Sequence, residues 1–203
     1  METKIKDMEK KNSARPSTTR ALTESALMVA LATVLEVYAV FKLPNGGSVT
    51  IGSMIPIILV AYKYPFGWSL AVALAYSLIQ MLTGFYAPPV ENLISYTMMV
   101  LLDYVIAFGV LCLAGPLYKV MRDKLPVRVS MMVSTLFCFT LRFVCHLLSG
   151  IIIWGVYAPA GQPVWLYSLL YNGSYMLCEG LVSSVILYAS GPKLAAYFLG
   201  EKE

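Results

Sequence analysis

The sequence predicts an all-α membrane protein in which six transmembrane helices form one bundle and both termini face the cytoplasm. Three observations carry that prediction. The chain is 59% hydrophobic and only 13% charged, with mean hydropathy +0.72, so a soluble domain of 203 residues would lack the polar groups to cover its surface. Apolar runs fall at about 21–41, 50–63, 67–86, 93–118, 130–157 and 164–198, separated by segments rich in Pro, Gly or charge. The basic residues are distributed unevenly between alternate connections.

A helix needs about 20 apolar residues to cross the hydrocarbon core, and the chain holds about six such crossings with short loops. The second run is short and contains Gly52 and Pro56, which predicts a broken or tilted helix whose freed backbone groups meet neighbours or a cavity. Residues 1–20 are polar, without the apolar core of a signal peptide, and read as a flexible cytoplasmic tail. Residues 21–198 form the membrane domain and 199–203 a short cytoplasmic end. With the N-terminus inside, Lys63, Lys119, Arg122, Lys124, Arg128 and Lys193 all lie on the inner side. Lys42 is then the one basic residue outside, with Arg142 inside the fifth run. The net charge of +4 is thereby a property of the inner face, and no nucleic acid is needed to explain it.

Ionisable groups inside apolar runs cost about 2.5–3.5 kcal/mol each on insertion scales, and each requires a partner or a function. They are Glu36, Asp103, Arg142, His146 and Glu179. Arg142, His146 and Gly150 recur every four residues along one helix face, with Trp154 one turn further. Ser168, Asn172, Tyr175 and Glu179 form a second polar stripe, and Asn92, Tyr96 and Asp103 a third, with Tyr104 beside it. Carboxylates among aromatic faces suit a flat, positively charged, hydrogen-bonding ligand. The alternatives are structural. Arg142 neutralises Asp103 or Glu179, the outer Tyr and Trp form an interfacial belt, and His146 bridges helices.

The absent motifs narrow the chemistry. No Walker A loop, HExxH, GxSxG elbow or aspartate-rich pair is present. Cys112, Cys138, Cys145 and Cys178 lack CxxC spacing and read as buried thiols, and no metal site is expected. An intramembrane enzyme using Asp103 and Glu179 as acid and base remains the rival from another class.

The stretches LPNGGSVTIGSMIPI (43–57), LLDYVIAF (101–108), LRFVCHLLSGIIIW (141–154) and YAPAGQPVWLYSLLYNGSYM (157–176) resemble the thiamine-specific S component of energy-coupling factor transporters. The likeness covers nearly all of 21–190. It implies a multi-pass subunit of the bacterial plasma membrane, not an enzyme, that captures thiamine from outside as a transported ligand and carries no cofactor. It also implies a membrane coupling subunit and two cytoplasmic ATPases as partners. The family's small-xxx-small surface for the coupling subunit matches Ala26 and Ala30, with packing inside the chain as the alternative. Its ligand pocket corresponds to Asp103, Tyr104, Arg142, His146, Gly150, Trp154, Tyr167 and Asn172, with Tyr76 where some relatives have Trp and Tyr86 in place of a loop tyrosine. Asp103 stands where many relatives have Glu, and no residue of 43–50 matches the outer-loop tryptophan of some members. By this resemblance, Asp103 offers charge to the cation, His146 and Trp154 offer flat surfaces, and Asn172 reads the aminopyrimidine edge. The Gly-rich loop 43–50 and the Pro-containing loop 84–92 are the segments expected to close. The nearest rival is an S component for another vitamin or precursor.

A single cysteine placed at Asp123 in a cysteine-free background should react with a membrane-impermeant thiol reagent only from the cytoplasmic side. Labelling from the outside of intact cells would reject the topology.

Overall fold

The computed structural model describes residues 17–44 and 46–200. Six helical segments follow in order: α1 (Thr18–Val37), α2 (Ile55–Lys63), α3 (Phe66–Gly84), α4 (Leu93–Arg122), α5 (Val127–Ile152) and α6 (Val164–Leu199). A small antiparallel hairpin, β1 (Phe41–Lys42) and β2 (Ser48–Val49), lies between α1 and α2.

Local chemistry sets the helix starts. Ser17 accepts from the Arg20 N–H at 3.3 Å, so the last residues of the expected tail belong to α1. Asn92 accepts from the Ser95 N–H at 2.9 Å, and it serves as a helix cap rather than as part of a functional stripe. Pro65, Pro126 and Pro163 stand immediately before α3, α5 and α6, where a fixed φ and a missing donor do no harm. Residues 1–16 and 201–203, which hold most of the expected tail and the C-terminal end, lie outside the described residues.

Helices α3, α4, α5 and α6 are each long and apolar enough to cross a membrane. Helix α1, at 20 residues, has the length. The second run is only half a crossing as helix. Its helical part has nine residues, about 14 Å at 1.5 Å per residue, and Thr50–Met54 approaches as irregular backbone with Gly52 at φ 77°. The side chains of Pro56 to Tyr62 are all buried. This is the condition under which non-helical backbone survives at membrane depth, because its polar groups are satisfied by protein. Leu82, Leu93, Leu177 and Val185 stay exposed around the bundle, as apolar side chains facing lipid do.

Small and hydroxyl-bearing residues bring the helices together. Between α5 and α6, Gly150 lies against Ser168 and Asn172, Gly180 against Phe139 and Gly191 against Met131, while Ser134 and Ser149 of α5 turn to α2 and α4. The Tyr62 hydroxyl ties α2 to α5 through the Met131 carbonyl at 3.0 Å, Ser134 at 2.9 Å and Thr135 at 3.0 Å. A Cβ on Gly115 of α4 would overlap the Ala61 carbonyl of α2. The Gly115→Ala variant should therefore lose about 1–3 kcal/mol of stability, read as a lower melting temperature in detergent.

Candidate functional site

Asp103 and Tyr104 sit on a π-helical turn, Val100–Ile106, in the middle of α4. The wider turn rotates the carboxylate out of the ordinary α register, and such bulges recur at functional sites. Asp103 then receives three donors. Ser149 Oγ donates to Oδ2 at 2.6 Å, Trp154 Nε1 donates to Oδ2 at 3.1 Å, and His146 Nδ1 lies 3.0 Å from Oδ1. The carboxylate and the imidazole are 15% and 11% exposed, so both are largely withdrawn from water yet reachable.

Trp154 does not continue the α5 stripe. The helix ends at Ile152, and Trp154 stands beyond it, just before the short turn Gly155–Tyr157. Its indole folds back to Asp103, and its ring stacks on Tyr157 with centroids 6.3 Å apart.

The alternative of a direct pairing of Arg142 with Asp103 or Glu179 is not what the structure holds. Among the described residues Arg142 makes no ion pair with either. Its Nε donates to His146 Nε2 at 3.4 Å, and its guanidinium lies 4.2 Å from the Phe108 ring centroid. Glu179 instead binds irregular backbone. Its carboxylate accepts from the Thr50 N–H and the Thr50 hydroxyl, each at 2.5 Å. Glu36 accepts from Ser48 at 2.5 Å and Ser53 at 2.9 Å. Two acidic residues, from α1 and α6, thus hold the 48–53 segment from both sides.

These groups surround a cavity of about 330 Å³. Of the ten residues expected in a ligand pocket, Asp103, Tyr104, Arg142, His146, Gly150, Trp154, Tyr167, Asn172 and Tyr86 line it. Tyr76 does not. It is fully buried behind the wall, where its hydroxyl accepts from Gln80 at 2.9 Å and its ring meets Phe108 edge-on. Tyr104 donates to the Gly84 carbonyl at 3.1 Å, joining α4 to the end of α3.

Asn172 is fixed by its own helix and by α5. Its amide donates to the Ser168 carbonyl at 3.0 Å and the His146 carbonyl at 3.2 Å, and its oxygen accepts from Tyr175 at 2.9 Å. Gly150 makes this approach possible, since a Cβ there would overlap the Ser168 hydroxyl. The hairpin turn lies over the cavity. Gly46 carbonyl accepts from Tyr171 at 2.7 Å, and Gly47, at φ 85°, packs so closely on the Tyr175 ring that no side chain fits.

Sequence reasoning missed Ser149, which lies three residues after His146 on the same helix face, and that i+3 spacing was available as a signal. Gln80, Glu36 and Glu179 also line the cavity without having been assigned to the pocket. Glu36 was marked only by its cost in an apolar run and Glu179 by that cost and its place on the second stripe, and the loop they hold could not be read from them. Among the described residues no cluster could hold a metal ion.

A helical membrane bundle with an acidic, aromatic cavity has the build of a small-molecule binding or transport subunit. The family model described as thiamine transporter protein (Thia_YuaJ) matches residues 22–198, and the chain belongs to that family. Two curated relatives are both called thiamine transporter ThiT. The protein from Bacillus subtilis (strain 168) is 33% identical over 186 residues, spanning 85% of this chain and 92% of the relative. The one from Lacticaseibacillus paracasei (strain ATCC 334) is 30% identical over 93 residues, spanning 43% and 46%. A solved structure of ThiT from Listeria monocytogenes superposes with TM-score 0.68 at 25% identity, covering 86% of this chain and 96% of that one. The protein is a multi-pass membrane transporter component, which sets aside the acid–base enzyme.

Replacing Glu179 by Ala should leave the Thr50 N–H and hydroxyl without an acceptor and cost about 2–5 kcal/mol. Glu179→Gln, which keeps one acceptor oxygen, should cost less. Thermal melting and proteolysis of the 46–54 loop would both read this order, and equal stability of the two variants would contradict it.

Proposed function

We propose that this chain captures thiamine in the cavity described above and serves as the substrate-specific subunit of an energy-coupling factor transporter. One observation carries the reading. A carboxylate held by three donors faces a chamber walled by His146, Trp154, Tyr167 and Tyr175. The three acidic side chains that line it, Glu36, Asp103 and Glu179, outnumber the two basic ones, Lys42 and Arg142, so the chamber favours a cation. Its volume falls in the range of small-ligand pockets, about 300–1,000 Å³. The names of the relatives supply the particular cation.

In the proposed complex, Asp103 is the counter-charge and Trp154 and His146 present their faces to the rings. The remaining acceptor capacity of Asn172 meets the exocyclic amine. The cavity lies at the end of the bundle that carries the 41–54, 84–92 and 154–163 connections. In the topology derived above, that end faces outward.

The transport step would draw energy from a coupling membrane subunit and two cytoplasmic ATPases. Ala26 and Ala30 are exposed on α1, whereas Ala32 is fully buried. The outward pair is therefore available to a helix of another subunit, while Ala32 packs inside.

Tryptophan fluorescence of the detergent-purified chain should change on titration with thiamine. Asp103→Asn, which offers one acceptor oxygen and no charge, should weaken binding at least about tenfold, and Trp154→Ala should do the same. Calorimetry with a panel of vitamins tests the ligand, and tight binding of riboflavin or biotin with none of thiamine would overturn it.

A further inference from the structure

The Asn172 amide has one orientation open to it. Its nitrogen lies 3.0 Å from the Ser168 carbonyl and 3.2 Å from the His146 carbonyl, and a carbonyl oxygen only accepts. The Ser168 hydroxyl, 3.1 Å from the same nitrogen, gives its own proton to the Leu147 carbonyl at 2.8 Å, so it too accepts. Both amide hydrogens are therefore directed away from a ligand, and turning the amide over would set its oxygen against other oxygens. Oδ1 is then the atom that meets the Tyr175 hydroxyl, at 2.9 Å. A carbonyl oxygen has no hydrogen to give, so the hydroxyl is the donor and its one proton is committed.

The Tyr175 ring is held where this bond requires it. Gly47 of the hairpin turn packs on its edge with no room for a side chain, and Tyr171 and His146 meet it edge-on with centroids 6.2 and 6.3 Å away. The neighbouring Tyr171 hydroxyl also donates elsewhere, to the Gly46 carbonyl at 2.7 Å. Asn172 and Tyr175 both line the cavity. What the pair has left for a ligand is lone pairs, the second on Oδ1 and those of the Tyr175 oxygen.

We propose that Tyr175 is a specificity-determining residue: by donating its only proton to Asn172 it makes this corner of the chamber an acceptor-only surface, which admits a ligand bringing an amine and rejects the same ligand with an oxygen in that place. The inference rests on the thiamine reading above and deepens it, since the chamber then selects an amino over an oxo pyrimidine. An exocyclic amine brings N–H donors for Oδ1 and for the tyrosine oxygen. An oxo group brings only lone pairs, and it would leave both buried acceptors unpaired. Sites built on buried hydrogen bonds reject an analogue that lacks the donor far more strongly than apolar pockets reject a misfit.

Calorimetry can compare thiamine with its oxo analogue, in which an oxygen replaces the exocyclic amine. The wild type should bind thiamine at least about a hundredfold more tightly. Tyr175→Phe, which keeps the ring and removes the hydroxyl, should weaken thiamine about tenfold and leave the analogue nearly unchanged. Asn172→Ala, which frees the tyrosine proton to donate to a ligand, should weaken thiamine yet bind the oxo analogue more tightly than the wild type does. Loss of a packing role alone would weaken both ligands alike. Equal binding of the two ligands by the wild type, or a preference unmoved in both variants, would overturn the proposal. In the ligand-free protein, the side-chain amide hydrogens of Asn172, identified after asparagine labelling by their loss in Asn172→Ala, should exchange slowly with solvent because carbonyls hold them. Rapid exchange would overturn the proposal as well. If thiamine does not bind at all, the ligand reading falls, and the amide exchange still decides the orientation on which this inference stands.

Discussion

The structure depends on holding one carboxyl group, reachable and surrounded by protein hydrogen-bond partners, inside a membrane bundle. Water would solvate Asp103 at little cost, but a membrane interior does not, and the cost is offset only if protein donors replace the hydration shell. Ser149, Trp154 and His146 do so from α5 and the turn that follows it. The π-helical turn in α4 aims the carboxylate at them, and Gly150 of α5 lets the Asn172 amide of α6 reach the His146 carbonyl. Removing the side chain would leave three oriented donors without an acceptor.

The roof of the cavity follows a related logic. Irregular backbone between the hairpin and α2 would be prohibitively polar in lipid, and it is carried instead by Glu36 and Glu179, which accept from its hydroxyls and an amide. These are polar contacts around a chamber that, in the proposed function, admits a ligand and releases it. Closure by polar contacts and two glycines, rather than by a packed apolar plug, is compatible with reversible opening, since a few hydrogen bonds can be exchanged for water. The same carboxylates make the chamber acidic, so the groups that hold the 48–53 segment also favour the cation proposed for it.

Much of this was legible in the sequence. The hydropathy runs gave the helices to within a few residues, because lipid exposure forces composition more strictly than a soluble surface does. The i,i+4 recurrence of Arg142, His146 and Gly150 survives as one face of α5, and nine of the ten expected pocket residues line the cavity. Tyr76 departs because a tyrosine one layer back can brace Gln80 and Phe108 without reaching the ligand space. Trp154 reaches its place by a turn rather than by helical register, which no periodicity could show. Arg142 forms no ion pair with a carboxylate among the described residues, because the stripes specify a shared interior, whereas partner choice depends on rotamers and on angstrom differences in helix spacing.

The sequence alone determined a lipid-solvated bundle of six helical segments and the polar side chains that must converge inside, since both follow from the transfer cost of residue types at known spacings. Tertiary structure alone decided which donor met which acceptor: that Glu179 holds a loop and not an arginine, that the second segment is half helix and half irregular chain, and that Arg142 faces a histidine nitrogen. Those outcomes turn on a π-helical turn, two glycines with positive φ and close backbone approaches, where energies of a single hydrogen bond depend on geometry that composition and periodicity do not encode.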